Sequence, residues 1–527
     1  MQRISNLRAP LSFSRETLRP FLAHALGIAQ DRIIDAHLAK KSVDARRKDD
    51  VHFVLTLDFA LTSGPAPIIP RGANLSETKE MPYTYPSCAS PVRRPLVVGL
   101  GPAGLLAGYL LAKAGLSPLV IERGKNVAQR AKDVAHFFAT GALNPVSNVQ
   151  FGEGGAGTFS DGKLTTGIKD PRCNEVLRLF HEHGAPESIL YEAKPHIGTD
   201  NLPGMVRGIR ERITALGGDV RFETPLERLI VDEGRIVGAV IAGQSIEVDD
   251  VILAIGHSAR DTLSMLHALG VPMQKKPFSL GVRIEHPQSL IDRSQYGAAA
   301  AHPHLGAADY KLHERTRSGR GVYTFCMCPG GEVVAASSTP GHLVVNGMSR
   351  YDRAGTNANS ALLVSVTPDD FPEPSPLSGI LFQEKWERIA YNLGGGGFRA
   401  PAQRVADFLT DRASHAPGDV LPSYRPGVTW CNLVECMPEF AASALREAIV
   451  LFDRKLNGFA LAGAALTGIE TRSSSPVTLL RDPETCASAL GGLYPCGEGA
   501  GHAGGIMSAA VDGMRCAEAL IARYAVE

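Results

Sequence analysis

VVGLGPAG, residues 97–104, is the stretch on which the fold turns. The apolar run Leu96 to Val98 stops at Gly99-x-Gly101-x-x-Gly104. A helix-like segment, LLAGYLLAKAG, follows, then a second apolar stretch, PLVIE, closing on Glu122. Strand, glycine turn, helix, strand and acid together make a dinucleotide fingerprint, which three glycines alone do not. Gly99 permits the tight turn, Gly101 lets backbone approach a pyrophosphate, and Gly104 lets the helix pack closely on the strand. Pro102 and Ala103 open the helix, whose N-terminus offers free N–H groups and partial positive charge to phosphates. Glu122 lies 18 residues beyond Gly104, close to the ~20 expected of an acid that holds ribose hydroxyls. An acid there repels a 2′-phosphate, so the nucleotide is read as FAD or NAD rather than NADP. Arg123 stands beside it and is counted among the nucleotide contacts.

At 527 residues the chain exceeds a single core, and ~2 to 4 domains are expected. Hydrophobic residues make up 44% and charged residues 20%, as in ordinary globular proteins. Zero net charge and a pI near 7.3 give no global signal for a nucleic-acid or membrane partner. Nine cysteines, without a disulfide-framework spacing, suggest reduced thiols and a cytoplasmic setting. The opening MQRISNLRAP lacks the apolar segment of a signal peptide. Residues 95–121 are apolar enough to imitate a membrane span, but the glycines, Pro102 and the fingerprint context argue against one.

Residues 1–62 read as a small α+β module. Ser14 can cap a helix carrying Leu18, Leu22 and Leu26, ended by Gly27. In VHFVLTLDF, Val51, Phe53, Leu55, Leu57 and Phe59 alternate with polar residues, the mark of a half-buried strand. KKSVDARRKDD, residues 40–50, is either an anion or RNA contact or a solvated hairpin end balanced by Asp44, Asp49 and Asp50. Residues 63–94 hold six prolines and no periodicity, and read as a linker or a surface clasp.

The fingerprint domain is expected over residues 95–270 and again over 465–527. Within it, NVQFGEGGAGTFSDGKL (148–164) is too rich in small residues for a helix or strand interior. Gly154, Gly155, Gly157 and Thr158 are therefore read as backbone laid against a flat ligand, with a flexible lid as the alternative. VILAIGHSA (251–259) returns a strand to the sheet, and its Gly256 joins the cofactor contacts. His257, just past that turn, is read as a loop histidine, a ligand contact being the alternative. Residues 271–464 alternate strand-like runs with Gly/Pro loops and read as an inserted, mainly antiparallel domain. Cys326 and Cys328 could face one direction, yet no second pair with metal-ligand spacing follows, so structural thiols and no metal site are expected. Near the C-terminus, LYPCGEGAGHAGGIMSAAVDGMRCAEALIA reads as a strand, a turn through Gly497, Glu498 and Gly499, and a helix opening at Gly504, Gly505 and Ile506. The acid suits ribityl hydroxyls, and the helix N-terminus suits developing negative charge on a ring.

With these three segments in place, the chain resembles the glutathione-reductase-type FAD flavoproteins. It is more closely similar to a bacterial family of FAD-dependent dehydrogenase-like proteins. NVQFGEGGAGTFSDGKL, KPFSLGVRIEHPQ, GIETRSSSPV and YPCGEGAGHAGGI carry the closer resemblance, which spans nearly the whole chain. It implies an α/β fold: a Rossmann-type FAD-binding domain with an inserted mainly antiparallel β (α+β) domain and a small N-terminal α+β module. It also implies non-covalent FAD. Glu498 stands where many members of the wider superfamily have Asp. No CxxC lies near the flavin segments, which argues against a disulfide reductase; no second strand–GxGxxG–helix unit is visible for a built-in NAD(P)H domain, and an external NAD(P)H or electron carrier is the candidate donor. The expected activity is a dehydrogenase-like oxidoreductase acting on a small molecule. A flavoprotein directed to RNA through residues 40–48 and a non-catalytic FAD-binding protein are the alternatives. Arg283, Arg472 and His502 are the candidate substrate or charge contacts.

Overall fold

The computed structural model describes residues 1–78, 82–88 and 93–524. Parts of the expected 63–94 linker (79–81 and 89–92) and the last three residues of the 465–527 segment lie outside them.

The first sheet is antiparallel, with strands ordered Ile33–Asp44, His52–Leu61, Gln2–Ala9 and Asn74–Glu77. Phe53, Leu55, Leu57 and Phe59 are buried and meet Leu18, Leu22 and Leu26 of the helix Leu18–Leu26. Gly27 ends that helix in the left-handed conformation. At the hairpin end two arginines of the basic run pair within it, Arg46 with Asp44 and Arg47 with Asp49; Asp50 pairs with Arg8 of the first strand, and Lys41 with Glu192.

Residues 63–94 do more than connect. Asn74–Glu77 adds an edge strand to the first sheet, because its backbone pairs with Gln2–Ser5. Tyr83 and Tyr85 pack edge to face, and Lys113 Nζ sits 3.4 Å from the Tyr85 ring centre. Tyr83 Oη donates to Glu518 on the terminal helix. The clasp reading fits this better than a free linker.

A second sheet is wholly parallel and five strands wide: Leu493–Pro495, Val251–Leu253, Leu96–Val98, Leu119–Ile121 and Asp219–Arg221. The helices Pro102–Lys113 and Ile506–Arg523 pack together against it. Every residue from Ala103 to Ala112 is buried, which is why this helix is apolar all round. A Cβ on Gly104 would fall 1.9 Å from the Gly99 carbonyl oxygen, so the close helix–strand approach requires glycine. A small antiparallel meander, Leu226–Asp232, Arg235–Ile241 and Gln244–Glu247, precedes the strand Val251–Leu253.

The third large sheet has seven strands, in the order His313–Arg315, Gly321–Cys328, Asn357–Val366, Phe278–Pro287, Ala465–Glu470, Ala400–Arg404 and Val428–Trp430. All its pairs are antiparallel except the last. Residues 278–286 are buried without alternation, as a strand covered on both faces must be. Ala465–Glu470 corrects the expected boundary. It lies inside this sheet, hydrogen-bonded to Phe278–Pro287, rather than in the re-entrant half beginning at 465. The molecule is thus a mixed α/β protein with separate parallel and antiparallel sheets.

Candidate functional site

One cavity opens at the carboxyl ends of the parallel strands and reaches the antiparallel sheet. In open α/β sheets this is where ligands bind. Gly99, Gly101, Pro102, Ala103, Glu122 and Arg123 line it near the fingerprint. Gly155, Gly157, Gly256, Gly497, Glu498, Gly504, Gly505 and Ile506 line it from the other three segments. Gly104, Gly154 and Thr158 do not line it. Gly104 serves helix packing, while Thr158 Oγ1 donates to the Glu153 carbonyl and stands where a Cβ on Gly154 would go.

Glu122 is buried and accepts three backbone hydrogen bonds. Oε2 takes the Leu100 N–H at 2.9 Å, and Oε1 takes those of Gly124 and Gly152 at 2.9 and 3.0 Å. One carboxylate therefore fastens the fingerprint turn, the turn after the second strand and the glycine-rich loop. Gly101 and Gly155 face each other: a Cβ on Gly101 would meet only Gly155 Cα, at 3.8 Å. That leaves a slot lined by bare backbone.

Sequence reasoning missed Arg130, which is fully buried beneath the glycine-rich loop. Its guanidinium donates to the carbonyls of Asn148, Val149, Gly152 and Glu153 at 2.7–3.3 Å. Burial pushes its pKa down to about 10, still charged at neutrality. A signal did exist: Arg130 sits on the helical stripe of Val127, Val134, Phe137 and Phe138, where a solvated arginine would not be placed. A loop held by this many bonds is a fixed wall rather than a lid.

The substrate-side candidates fare unequally. Arg283 does not line the cavity. It is fully buried, and all five of its N–H donors are taken, by Glu470 twice, Asn346, Asn359 and the Cys326 carbonyl. It has no hydrogen left for an anion, which overturns the expected role. Three of its partners, Glu470, Asn346 and Cys326, do line the cavity, so Arg283 positions that wall. Burial leaves Glu470 raised above the usual carboxylate range even beside Arg283. Arg472 lines the cavity but is bound to Glu387, Ser258 and Ser338. Arg260 grips the same Glu387. Burial pushes the Glu387 carboxyl up, yet the two guanidiniums hold it well below its ordinary value. His502 turns away: its Nε2 meets the Leu479 carbonyl at 2.9 Å, and burial lowers its pKa. It does not line the cavity.

Burial pushes Glu498 up to about 7, with Lys276 and the Gly505 backbone pulling the other way. The helix Ile506–Arg523 presents its first residues to the cavity, with Gly505 at φ 121° as its cap. On the far wall Phe325 is partly exposed, and the Cys326 thiol is pushed up to about 11 by burial, so it is a thiol and not a thiolate. Asn346 and Glu470 escaped the sequence reading, although a polar side chain inside an apolar strand run was the available sign. Among the described residues, the Cys496, Asp512 and Cys516 ligand atoms lie within 4.8 Å of one another. Arg481 already fills that space, bonded to Asp512 and to Cys516 Sγ. A cation there leaves no room for a metal.

Residues 277–473 match a family described as "FAD-dependent protein, C-terminal domain-like", and residues 1–60 match a domain of unknown function. A protein of Clostridium beijerinckii, described only as uncharacterized, is 46% identical over 526 residues, covering 99% of each chain. The cavity and its glycine walls define a dinucleotide-binding flavoprotein, and FAD is its cofactor. The chain belongs to the same family as the clostridial protein. Among solved structures, CtdE in complex with FAD is 13% identical, with 81% of this chain and 87% of that one covered, at a TM-score of 0.30. A geranylgeranyl bacteriochlorophyll reductase-like protein of Thermoplasma acidophilum is 14% identical, with 83% and 81% covered, at 0.35. No helix among the described residues is long and apolar enough to cross a membrane.

Proposed function

We propose that this protein is a dehydrogenase-like FAD oxidoreductase acting on a small molecule, with an external NAD(P)H or electron carrier closing the cycle. The observation that carries the reading is the continuity of one cavity from Glu122 and the fingerprint turn to Phe325, Cys326, Asn346 and Glu470 of the antiparallel sheet. A nucleotide held at the first end leaves the second free for another molecule. In this reading residues 95–270 and 471–527 hold the cofactor, residues 271–470 supply the substrate wall, and residues 1–62 are an accessory module.

Bound FAD supplies the hydride and electron chemistry. The chain supplies binding, orientation and field. Glu122 takes a ribose hydroxyl at Oε2, on the one acceptor site its three backbone bonds leave free. The N-terminus of the helix Pro102–Lys113 takes the pyrophosphate, and Glu498 the ribityl chain. The cap of the helix Ile506–Arg523 sets positive potential where reduction adds negative charge. Arg283 holds Glu470 and Asn346 rigidly, so the substrate meets a preformed wall.

Two experiments test the reading in sequence. Purified protein should be yellow and release FAD near 1:1 on denaturation, and Gly101→Asp should remain colourless. Anaerobic titration with NADH, NADPH and a panel of small hydroxy and amino compounds should then bleach the flavin with at least one donor. Colourless wild-type protein that FAD cannot reconstitute would overturn the assignment.

A further inference from the structure

On the far wall of the cavity the strand Gly321–Cys328 breaks its pairing. Between Phe325 and Cys328 the register slips against Asn357–Val366, and Cys326 takes φ 44°, a left-handed backbone that residues other than glycine rarely hold. Two cations clamp this bulge. Arg283 donates to the Cys326 carbonyl, and Lys163, reaching over from the glycine-rich loop, donates to the Met327 carbonyl. Bulges of this kind re-aim side chains beside active sites.

The clamp leaves donors free at the cavity. Lys163 Nζ has three N–H groups and gives one to Asp161 at 2.6 Å and one to Met327. The third is free among the described residues, on a side chain that is 27% exposed and lines the cavity. Asn346 lines it too. Arg283 and the Gly347 N–H can only donate, so both hold the amide oxygen of Asn346. Its NH2 group is left without a partner among the described residues. The nearby carboxylates are engaged, Glu470 by Arg283 and Asp161 by Lys163 and Arg353. Three cations therefore share two carboxylates, which leaves one positive charge uncovered. In the reading above the pyrophosphate lies at the helix Pro102–Lys113, near the opposite wall, and does not cover it. Next to these donors Phe325 lines the cavity with 38% of its surface exposed.

We propose that Lys163 and Asn346 bind the carboxylate of the substrate, a monocarboxylic acid whose apolar body lies on Phe325. One negative charge matches the uncovered cation, and two oxygens match the two donor groups. The inference rests on the flavin reading above and names the substrate class for it. The probes are benzoate and hexanoate, with benzamide as the neutral counterpart, titrated into flavin-loaded full-length protein. The visible flavin spectrum and calorimetry read the same binding. Both acids should saturate, and benzamide should bind about tenfold more weakly than benzoate, or worse. Lys163→Gln leaves Asp161 on Arg353 and should weaken benzoate about tenfold. Asn346→Asp keeps the oxygen that Arg283 holds and puts a second one where the NH2 group stood. It should repel benzoate at least as strongly, with FAD content unchanged in both variants. Benzamide binding as tightly as benzoate, or benzoate affinity unmoved in both variants, overturns the proposal. So does yellow protein that takes up neither acid at up to about 10 mM. Should a variant misfold, the comparison of benzoate with benzamide on the unaltered chain decides. Colourless protein that still prefers benzoate by calorimetry fails the flavin reading and leaves the carboxylate site standing, whereas colourless protein that binds neither acid overturns both.

Discussion

Replacing Glu122 by Ala removes more than a ribose contact. Three backbone N–H groups lose their acceptor at once, and orphaned buried donors cost about 1–3 kcal/mol. Glu122→Ala should therefore lower the urea stability of the apo-protein as well as its affinity for FAD. Weakened FAD with unchanged apo stability would show that the three loops hold without it. Arg283→Ala leaves Glu470 as a buried charge without its partner, a loss of about 3–5 kcal/mol. Lys cannot reproduce the five-donor fork, so Arg283→Lys should also destabilise, read as a fall in Tm. Glu498 gives a pH signature. Its unfolded carboxyl titrates near 4.5 and its folded one near 7. Across that window the folded apo-protein keeps a proton that the unfolded chain releases, so this group's contribution falls as pH rises. Glu498→Gln lacks the effect, and its stability relative to wild type should grow from pH 4.5 to 7. A constant difference between the two would assign Glu498 an ordinary pKa. At this scale the sequence was legible where a residue acts through its own backbone, as the fingerprint glycines do. It was opaque where action depends on a distant partner. Arg283 and Arg472 look alike in the chain, yet Glu470 and Asn346 consume one while Glu387 holds the other at the cavity wall.

Among the elements, the helix Ile506–Arg523 is the one whose direction matters most to chemistry. Its cap, Gly505, has φ 121°, a conformation that disfavours any side chain. Gly505→Val should shift the cap and withdraw its N–H groups from the cavity. A helix terminus is worth ~0.3–1 kcal/mol to a nearby charge, so the two-electron potential of bound flavin should drop by ~6–20 mV. Adenosine-side binding should persist. An unchanged potential with full FAD content would place the helix end away from the ring. The strand–turn–helix units were readable because period, glycine and apolar content agree within a dozen residues. The glycine-rich loop was readable as an irregular, backbone-dominated segment, and part of it lines the cavity. Its rigidity was not, since that comes from Arg130 on a different element.

The five- and seven-stranded sheets hold segments that lie far apart in sequence, and that separation explains the misplaced boundary. ALTGIE, residues 465–470, is a buried strand by any local criterion, and nothing local says which sheet takes it. Pairing with Phe278–Pro287 decides, and that contact is set by the whole chain. The clasp around Tyr83 and Tyr85 was half legible for the same reason: prolines announce an irregular segment without saying what it grips. The parallel sheet carries this separation furthest. Leu96–Val98 pairs with Val251–Leu253, which pairs in turn with Leu493–Pro495, and the helix Pro102–Lys113 is covered by the helix Ile506–Arg523. During synthesis, the fingerprint helix therefore emerges long before its cover, with an almost wholly apolar surface and no mate. Topologies of this kind fold slowly and pass through sticky intermediates. Refolding from urea with FAD present should accordingly show far-UV ellipticity returning first and flavin quenching lagging behind it, with a yield that falls as protein concentration rises. Coincident phases would mean that the nucleotide site forms with the first structure. A lag would mean that the apolar fingerprint helix stays uncovered for a time before the protein can hold its cofactor.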